Sequence, residues 1–346
     1  MNTHALRMPA EWEPQSAVWL TWPHEAGDWG DNLDAAHACF VDIARTIAET
    51  QPVWIGARNA DWAARIAAAL NRQVDPSRIR IHIYDSNDVW TRDYGPLSVL
   101  ETDGAGRLVD FRFNGWGRKF PATLDDRLTA RLHQAGVFGE TSLTSLPQIV
   151  EGGALDTDGR GTLLARESAV LTKTRNPDLN HAGMESVWRE HLGITRVHWL
   201  QHGYLQGDDT DGHIDTLARF CAPDVIAYQS CDDPNDPHYA PLRAMADELA
   251  RLRTPDERAY TRIALPMPQP CFADGRRLPA GYANFLIING RVLLPAYDCP
   301  QDDQAQTRLA NAFPDREIVP IDCRALIRQN GSLHCATMQF HQSIAI

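Results

Sequence analysis

Apolar and polar positions along this chain follow two periods in turn. Short alternating or β-branched runs are bounded by turn residues. Between them lie longer stretches in which apolar residues recur every three or four positions. Ala17-Val18-Trp19-Leu20-Thr21-Trp22 predicts a strand. Ala36, Phe40, Ile43 and Ile47 predict a helix over 33–49. Residues 52–55 read as a strand, 59–70 as a helix with Asn59 as its N-cap, and 78–84 as an alternating strand.

A pattern then repeats. Segments 97–100 and 108–113 flank a turn at Asp103-Gly104, and Leu155 and 162–165 flank Asp158-Gly159. Segments 217–220 and 225–228 flank Pro223-Asp224, and 285–288 and 292–294 flank Asn289-Gly290. Asp-Gly and Asn-Gly between such runs are strong hairpin signals. Helical patterns follow at 124–134, 181–191, 241–252 and 303–312, and further strands at 143–149, 194–200, 262–266 and 318–321. The unit is strand, turn, strand, helix, strand, recurring roughly every 55 to 66 residues, a period that suggests blades or a solenoid. The N-terminal segments make a fifth, incomplete unit. A final strand over 333–340 would complete it by pairing with 18–22, closing a ring. No Pro/Gly/Ser linker interrupts the chain, so one continuous α/β domain over 1–346 is expected.

Composition narrows the function. The 346 residues are 43% hydrophobic and 23% charged, ordinary for a globular protein. The net charge of -12 disfavours nucleic acid, which needs a basic face, and is compatible with a cationic ligand. No apolar stretch approaches the ~18 residues of a membrane helix, and the first residues show no basic segment followed by an apolar run, so neither membrane nor signal peptide is expected. Seven scattered cysteines without CxxC spacing fit reduced cytoplasmic thiols better than disulfides or a zinc ribbon.

The polar oddities fall on the repeat. Asp88, Trp90 and Asp93 precede the first hairpin, Glu151-Gly152-Gly153 the second, and Asp208 to Asp215 the third. Asn284 opens the fourth, and Cys335 sits in the closing segment. Equivalent places in a ring of similar units meet near its axis, so Asp93, Glu151, His213, Asn284 and Cys335 form one cluster. Each has a plainer reading: Cys335 as a core thiol, Asp93 as a partner of Arg92 or a turn cap, Glu151 as a solvated residue opening a hairpin, Trp90 and Trp116 as core. The run at 208–215 reads also as a solvated loop, and it lacks the glutamate at position twelve of a calcium loop. His213 and Asp215, two apart, would face the same way in a strand, and His334, next to Cys335, would face the opposite way. Three carboxylates around a thiol suppress its thiolate unless a cation lies among them. A guanidinium is such a cation, and its fork of donors matches carboxylates.

The segments 90–96 (WTRDYGP), 113–117 (FNGWG), 151–153 (EGG), 210–215 (TDGHID), 232–236 (DDPND) and 333–339 (LHCATMQ) resemble the agmatine deiminases, which are related to bacterial peptidylarginine deiminases. The resemblance runs from about Pro9 to Gln339. It implies the five-bladed pseudo-symmetric α/β propeller (pentein) of the guanidino-group-modifying enzymes, and a hydrolase acting on a small cationic guanidino substrate. It implies that Cys335 attacks the guanidino carbon, that Asp93 and Asp215 hold the guanidino nitrogens, and that His213, oriented by Glu151, is acid and then base. Asp88, Trp90, Asp209, Trp116 and Asn284 would contact substrate. No metal or cofactor is implied, and a homodimer or larger homo-oligomer is open. Two departures stand out: the glycine-rich run before the nucleophile is reduced to Asn330-Gly331-Ser332, and Asp209 stands where agmatine enzymes typically have Glu. Peptidyl or free arginine deimination, amidino transfer, and non-catalytic binding on the same fold are the alternatives.

Overall fold

The computed structural model describes residues 6–70 and 74–344. The first five residues and the last two of the expected 1–346 domain lie outside the described residues. Among the described residues there are five sheets of three or four strands and one two-stranded ribbon, with helices between the strands, an α/β architecture.

Four of the sheets repeat one topology. Leu97–Leu100, Gly106–Arg112 and Ser142–Ile149 form the first, the initial pair antiparallel and the second pair parallel. Leu155–Thr157, Thr162–Arg166 and Arg196–Leu200 repeat it. So do Ala218–Ala222, Val225–Gln229 and Thr261–Leu265, and then Leu286–Ile288, Arg291–Ala296 and Glu317–Asp322. The pattern follows from connection length. A tight turn permits only an antiparallel neighbour, whereas a parallel neighbour needs a long crossover, here a helix. The helices Leu128–Gln134, His181–Leu192, Tyr239–Leu249 and Gln301–Ala312 are those crossovers.

The remaining sheet takes strands from both ends of the chain. Thr337–His341 lies antiparallel to Gln15–Thr21, with Leu20 opposite Thr337 and Val18 opposite Gln339. Val53–Ala57 and Ile79–Ile83 add in parallel, through the helices Leu33–Ala48 and Ala60–Leu70. The expected pairing of the chain ends is present, but the strand starts at Thr337, not at residue 333. Residues 333–336 form a turn, held by the Thr337 amide and hydroxyl bonding to His334 O.

Local signals behave as their chemistry requires. Asn59 Oδ1 accepts from the Trp62 amide at 2.9 Å and caps its helix. Asn180 caps His181–Leu192 in the same way, and Met184, Trp188 and Leu192 bury one stripe of it. That helix stops at Gly193, whose φ of 70° and close approach to Leu6 O exclude a side chain. No helix among the described residues is long and apolar enough to cross a membrane.

Phe340 of the C-terminal strand packs on Trp54 at 5.7 Å and on Phe138 at 5.3 Å between ring centroids, joining the sheet of the chain ends to the neighbouring unit. Phe340→Ala should therefore cost about 3–5 kcal/mol of unfolding free energy, measurable by urea titration.

Candidate active site

Each chemistry-bearing residue lies just upstream of the first strand of a sheet. Asp93 is in the short helix Thr91–Tyr94, before Leu97–Leu100. Glu151 precedes the 3-10 turn Gly152–Ala154, and His213 precedes the 3-10 turn Ile214–Thr216 that carries Asp215. Asn284 precedes Leu286–Ile288, and Cys335 precedes Thr337–His341. His213 and Asp215 are not on a strand, as sequence alternation suggested; the 3-10 turn brings both to the same cluster.

The cluster is buried and tight. Glu151, His213 and Asp215 have no exposed surface, and Asp93, Asn284 and Cys335 are buried. His213 Nδ1 lies 3.5 Å from Asp93 Oδ1 and its Nε2 lies 3.9 Å from Glu151 Oε2, ion-pair distances rather than hydrogen bonds. Cys335 Sγ lies 3.6 Å from Asp215 Oδ2. Asp93 is fixed by two donors, Trp116 Nε1 at 2.8 Å and the Gly153 amide at 3.0 Å. The two glycines after Glu151 make this approach possible. A Cβ on Gly152 would stand 2.2 Å from Arg92 O, and one on Gly153 would stand 2.7 Å from both Asp93 Oδ1 and His213 Nδ1.

A narrow cavity of about 40 Å³ reaches Cys335 from the surface. Asp88, Trp90, Asp93, Trp116 and Asp209 line it, as the sequence suggested, together with Asp28, Phe120 and Asn330. Among the described residues no lysine or arginine lines it, although Lys119 Nζ donates to the lining residue Asp209 at its backbone O, 2.5 Å away. Gly331 lets the Trp90 ring lie against the loop, since a Cβ there would be 2.4 Å from the indole. Trp116 sits at φ 54° beside Gly117 at φ 81°, a left-handed pair that turns the indole onto Asp93. Glu151, His213, Asp215 and Asn284 are not among the lining residues and stand behind the wall. Asn284 clamps the Cys335 turn. Its Oδ1 accepts from the His334 amide at 2.9 Å, and its Nδ2 donates to Cys335 Sγ at 3.2 Å.

Sequence reasoning missed Arg175. This buried guanidinium donates from Nε to both oxygens of Glu151 at 2.9 Å, from Nη1 to Asp211 at 2.7 Å and from Nη2 to Thr210 O at 3.1 Å. It thereby ties Glu151 to the loop that carries His213. Asp208, in the acidic run, is satisfied by its own loop: it accepts from the amides of Thr210 at 3.0 Å and Gly212 at 2.8 Å. His334 was also underestimated. Because 333–336 is a turn, strand alternation does not govern it, and its Nδ1 reaches Asp215 Oδ2 at 2.8 Å.

Charge crowding sets the protonation states. Burial pushes Asp93 up, the His213 charge pulls it down, and Asp215 pushes it up again, to about 6. Asp88 rises to about 7, by burial first and then by Asp209 and Asp28, against the Val89 amide. Burial lifts the Cys335 thiol well above its ordinary value, and Asp215 and Asp93 lift it further. Burial alone would lower His213, but Asp93, Glu151 and Asp215 outweigh it and hold it at about 9. Burial would raise Glu151, yet His213 and Arg175 keep it low.

A family model for Porphyromonas-type peptidyl-arginine deiminases matches residues 7–340. An agmatine deiminase of Stutzerimonas stutzeri is 35% identical, over 96% of this chain and 94% of that one. A Porphyromonas gingivalis structure provisionally described as an arginine deiminase superposes with TM-score 0.92 at 44% identity, over 99% of this chain and 100% of that one. A substrate-bound C. jejuni agmatine deiminase with a cysteine-to-serine substitution superposes with TM-score 0.91 at 32% identity, over 99% of this chain and 98% of that one.

His213 should titrate near pH 9 in a histidine-selective NMR experiment, and Asp93→Asn should lower that midpoint. Its folded value lies above the unfolded ~6.5. Its contribution to stability is therefore complete below pH ~6.5 and is lost as pH rises through about 9.

Proposed function

The chain belongs to the family of Porphyromonas-type peptidyl-arginine deiminases, and on that premise we propose that it hydrolyses agmatine to N-carbamoylputrescine and ammonia. The observation that carries this reading is the lining of the cavity: Asp28, Asp88, Asp93 and Asp209, with no basic side chain among the lining residues. Agmatine is a cation at both ends. Its guanidinium meets the carboxylates beside Cys335, and its ammonium meets Asp88 and Asp209 nearer the mouth. An arginine carboxylate would lie among these acids, and Lys119 beside Asp209 is already engaged by Asp209 O at 2.5 Å and Asp211 Oδ1 at 2.8 Å. The aspartate in place of glutamate at 209 leaves more room at the amine end, and Asn330 Nδ2 donates to its Oδ2 at 3.0 Å. The tandem sheets support a five-bladed α/β propeller forming a single catalytic domain.

In this reading the substrate cation lowers the potential that holds Cys335 as a thiol, the thiol proton passes to solvent water, and the sulfur attacks the guanidino carbon. His213, protonated at neutral pH, donates to the departing nitrogen as the C–N bond breaks, releasing ammonia. A thiouronium remains on Cys335, between Asp93 and Asp215. Neutral His213 then takes a proton from water, the hydroxide adds to the same carbon, the C–S bond breaks, and the ureido product leaves. One water is consumed for each ammonia released. Glu151, held by Arg175, keeps His213 oriented and charged.

Agmatine should yield equimolar ammonia and ureido product, with arginine and a blocked peptidyl arginine at least ~100-fold slower in kcat/KM. Faster turnover of either arginine substrate would reverse the assignment. Cys335→Ser should lower kcat by more than ~10³-fold while leaving the thermal unfolding curve in place.

A further inference from the structure

The segment Asp232-Asp233-Pro234-Asn235-Asp236 has no part in the chemistry above. Its last residue holds two others. Asp236 Oδ2 accepts from Arg277 Nη2 at 2.7 Å. Asp236 Oδ1 accepts from the His238 amide at 2.9 Å and lies 2.7 Å from the Nδ1 of that residue. His238 is buried, and its Nε2 accepts from the Gln206 amide at 2.8 Å. A ring nitrogen that accepts from an amide carries no proton, so Nδ1 carries it, donates to Asp236, and the imidazole is neutral. The surroundings favour that form: burial, and then Arg277, push His238 below its ordinary value, against the pull of Asp236. The Tyr204 ring stacks on the imidazole with centroids 6.2 Å apart. Gly207, at φ 93°, lies so close to the Arg277 segment that a Cβ would stand 2.7 Å from Arg277 O. Gln206, His238, Asp236, Arg277 and Gly207 thus close a circuit that grips the chain at 206–207.

We propose that Asp236 and His238 are positioning residues that set where Asp209 stands, and so how the site grips the distal ammonium of its substrate. The inference rests on the deiminase reading above. Asp209 lines the substrate cavity and lies two residues beyond Gly207. Neither Asp236 nor His238 lines that cavity, and both act through the Gln206 amide. The far side of the same loop is anchored separately. Arg175 holds Asp211 and Thr210 O, and Asp208 holds the amides of Thr210 and Gly212. His213 therefore keeps its place without the clamp, whereas the stretch leading into Asp209 depends on it. The clamp bears on the amine end of the substrate and not on the guanidinium.

The test compares agmatine with n-butylguanidine, which has the same guanidinium and carbon chain but no amine. His238→Ala removes the acceptor for the Gln206 amide. The expected result is a KM for agmatine about tenfold higher, with kcat within about threefold and kcat/KM for butylguanidine within about threefold of wild type. His238→Gln, whose side-chain oxygen can accept from the same amide, should bring the KM for agmatine back to within about threefold of wild type. Equal losses for the two guanidines, no loss for agmatine, or a glutamine variant no better than alanine overturns the proposal, the first of these assigning His238 to the fold alone. If neither variant folds, the wild-type protein decides. Ring-nitrogen NMR shifts should show His238 at pH 7 as the neutral form protonated on Nδ1, and a proton on Nε2 overturns the clamp. A wild-type protein that turns over agmatine while His238→Ala is unchanged refutes the clamp alone. One that turns over neither guanidine refutes the deiminase reading and the clamp together.

Discussion

The constraint on which the rest of the molecule depends is the crowding of buried carboxylates about one thiol. Asp93, Glu151 and Asp215 are all buried within reach of Cys335 or His213. Left alone, such charges repel and lose hydration that nothing returns. The protein offsets this with guanidiniums fixed behind the site and one imidazolium within it. Arg175 stands behind Glu151, Arg219 behind Asp156 and Glu11, and His213 among the acids. The face toward the substrate cavity is left short of positive charge, and a planar cation is what completes it.

The repeated architecture makes that crowding possible. No single sheet could supply so many polar groups to one point without burying its own backbone unpaired. Five sheets each contribute one short, irregular stretch ahead of the first strand, and the strands behind satisfy the backbone. The irregular stretches then need special residues. Gly152 and Gly153 admit backbone within touching distance of Asp93 and His213, and Gly331 admits the Trp90 ring. The strain of a left-handed Trp116 is borne where the indole must reach Asp93.

Much of this was legible before any coordinates. Turn dipeptides and the change from two-residue to three-to-four-residue periodicity located the hairpins and helices, because those signals are local. The spacing of Asp93, Glu151, His213, Asn284 and Cys335 located the site, because equivalent positions in repeats meet. What failed was local geometry inside the irregular stretches. Residues 333–336 have the composition of a strand but turn because Thr337 bonds back to His334. His213 and Asp215 read as strand neighbours, but His213 precedes a 3-10 turn and Asp215 lies within it. Arg175 and Glu11 left no trace in the pattern. Each is a lone charged residue in a loop, and only folding shows that neither is solvated. A buried arginine can be inferred only from the unpaired acids it must neutralise, and Glu151 was the available clue.

The raised thiol of Cys335 has a consequence for the protein's lifetime in a reactive environment. Peroxides and electrophiles attack thiolates far faster than thiols. While its cavity holds no cation, Cys335 rests in the protonated form, in a narrow cavity lined by acids. Reactivity and occupancy are therefore acquired together. The sulfur becomes vulnerable only in the moments when a substrate is present to consume it, so the same electrostatics that select the guanidine shield the idle enzyme from oxidative damage.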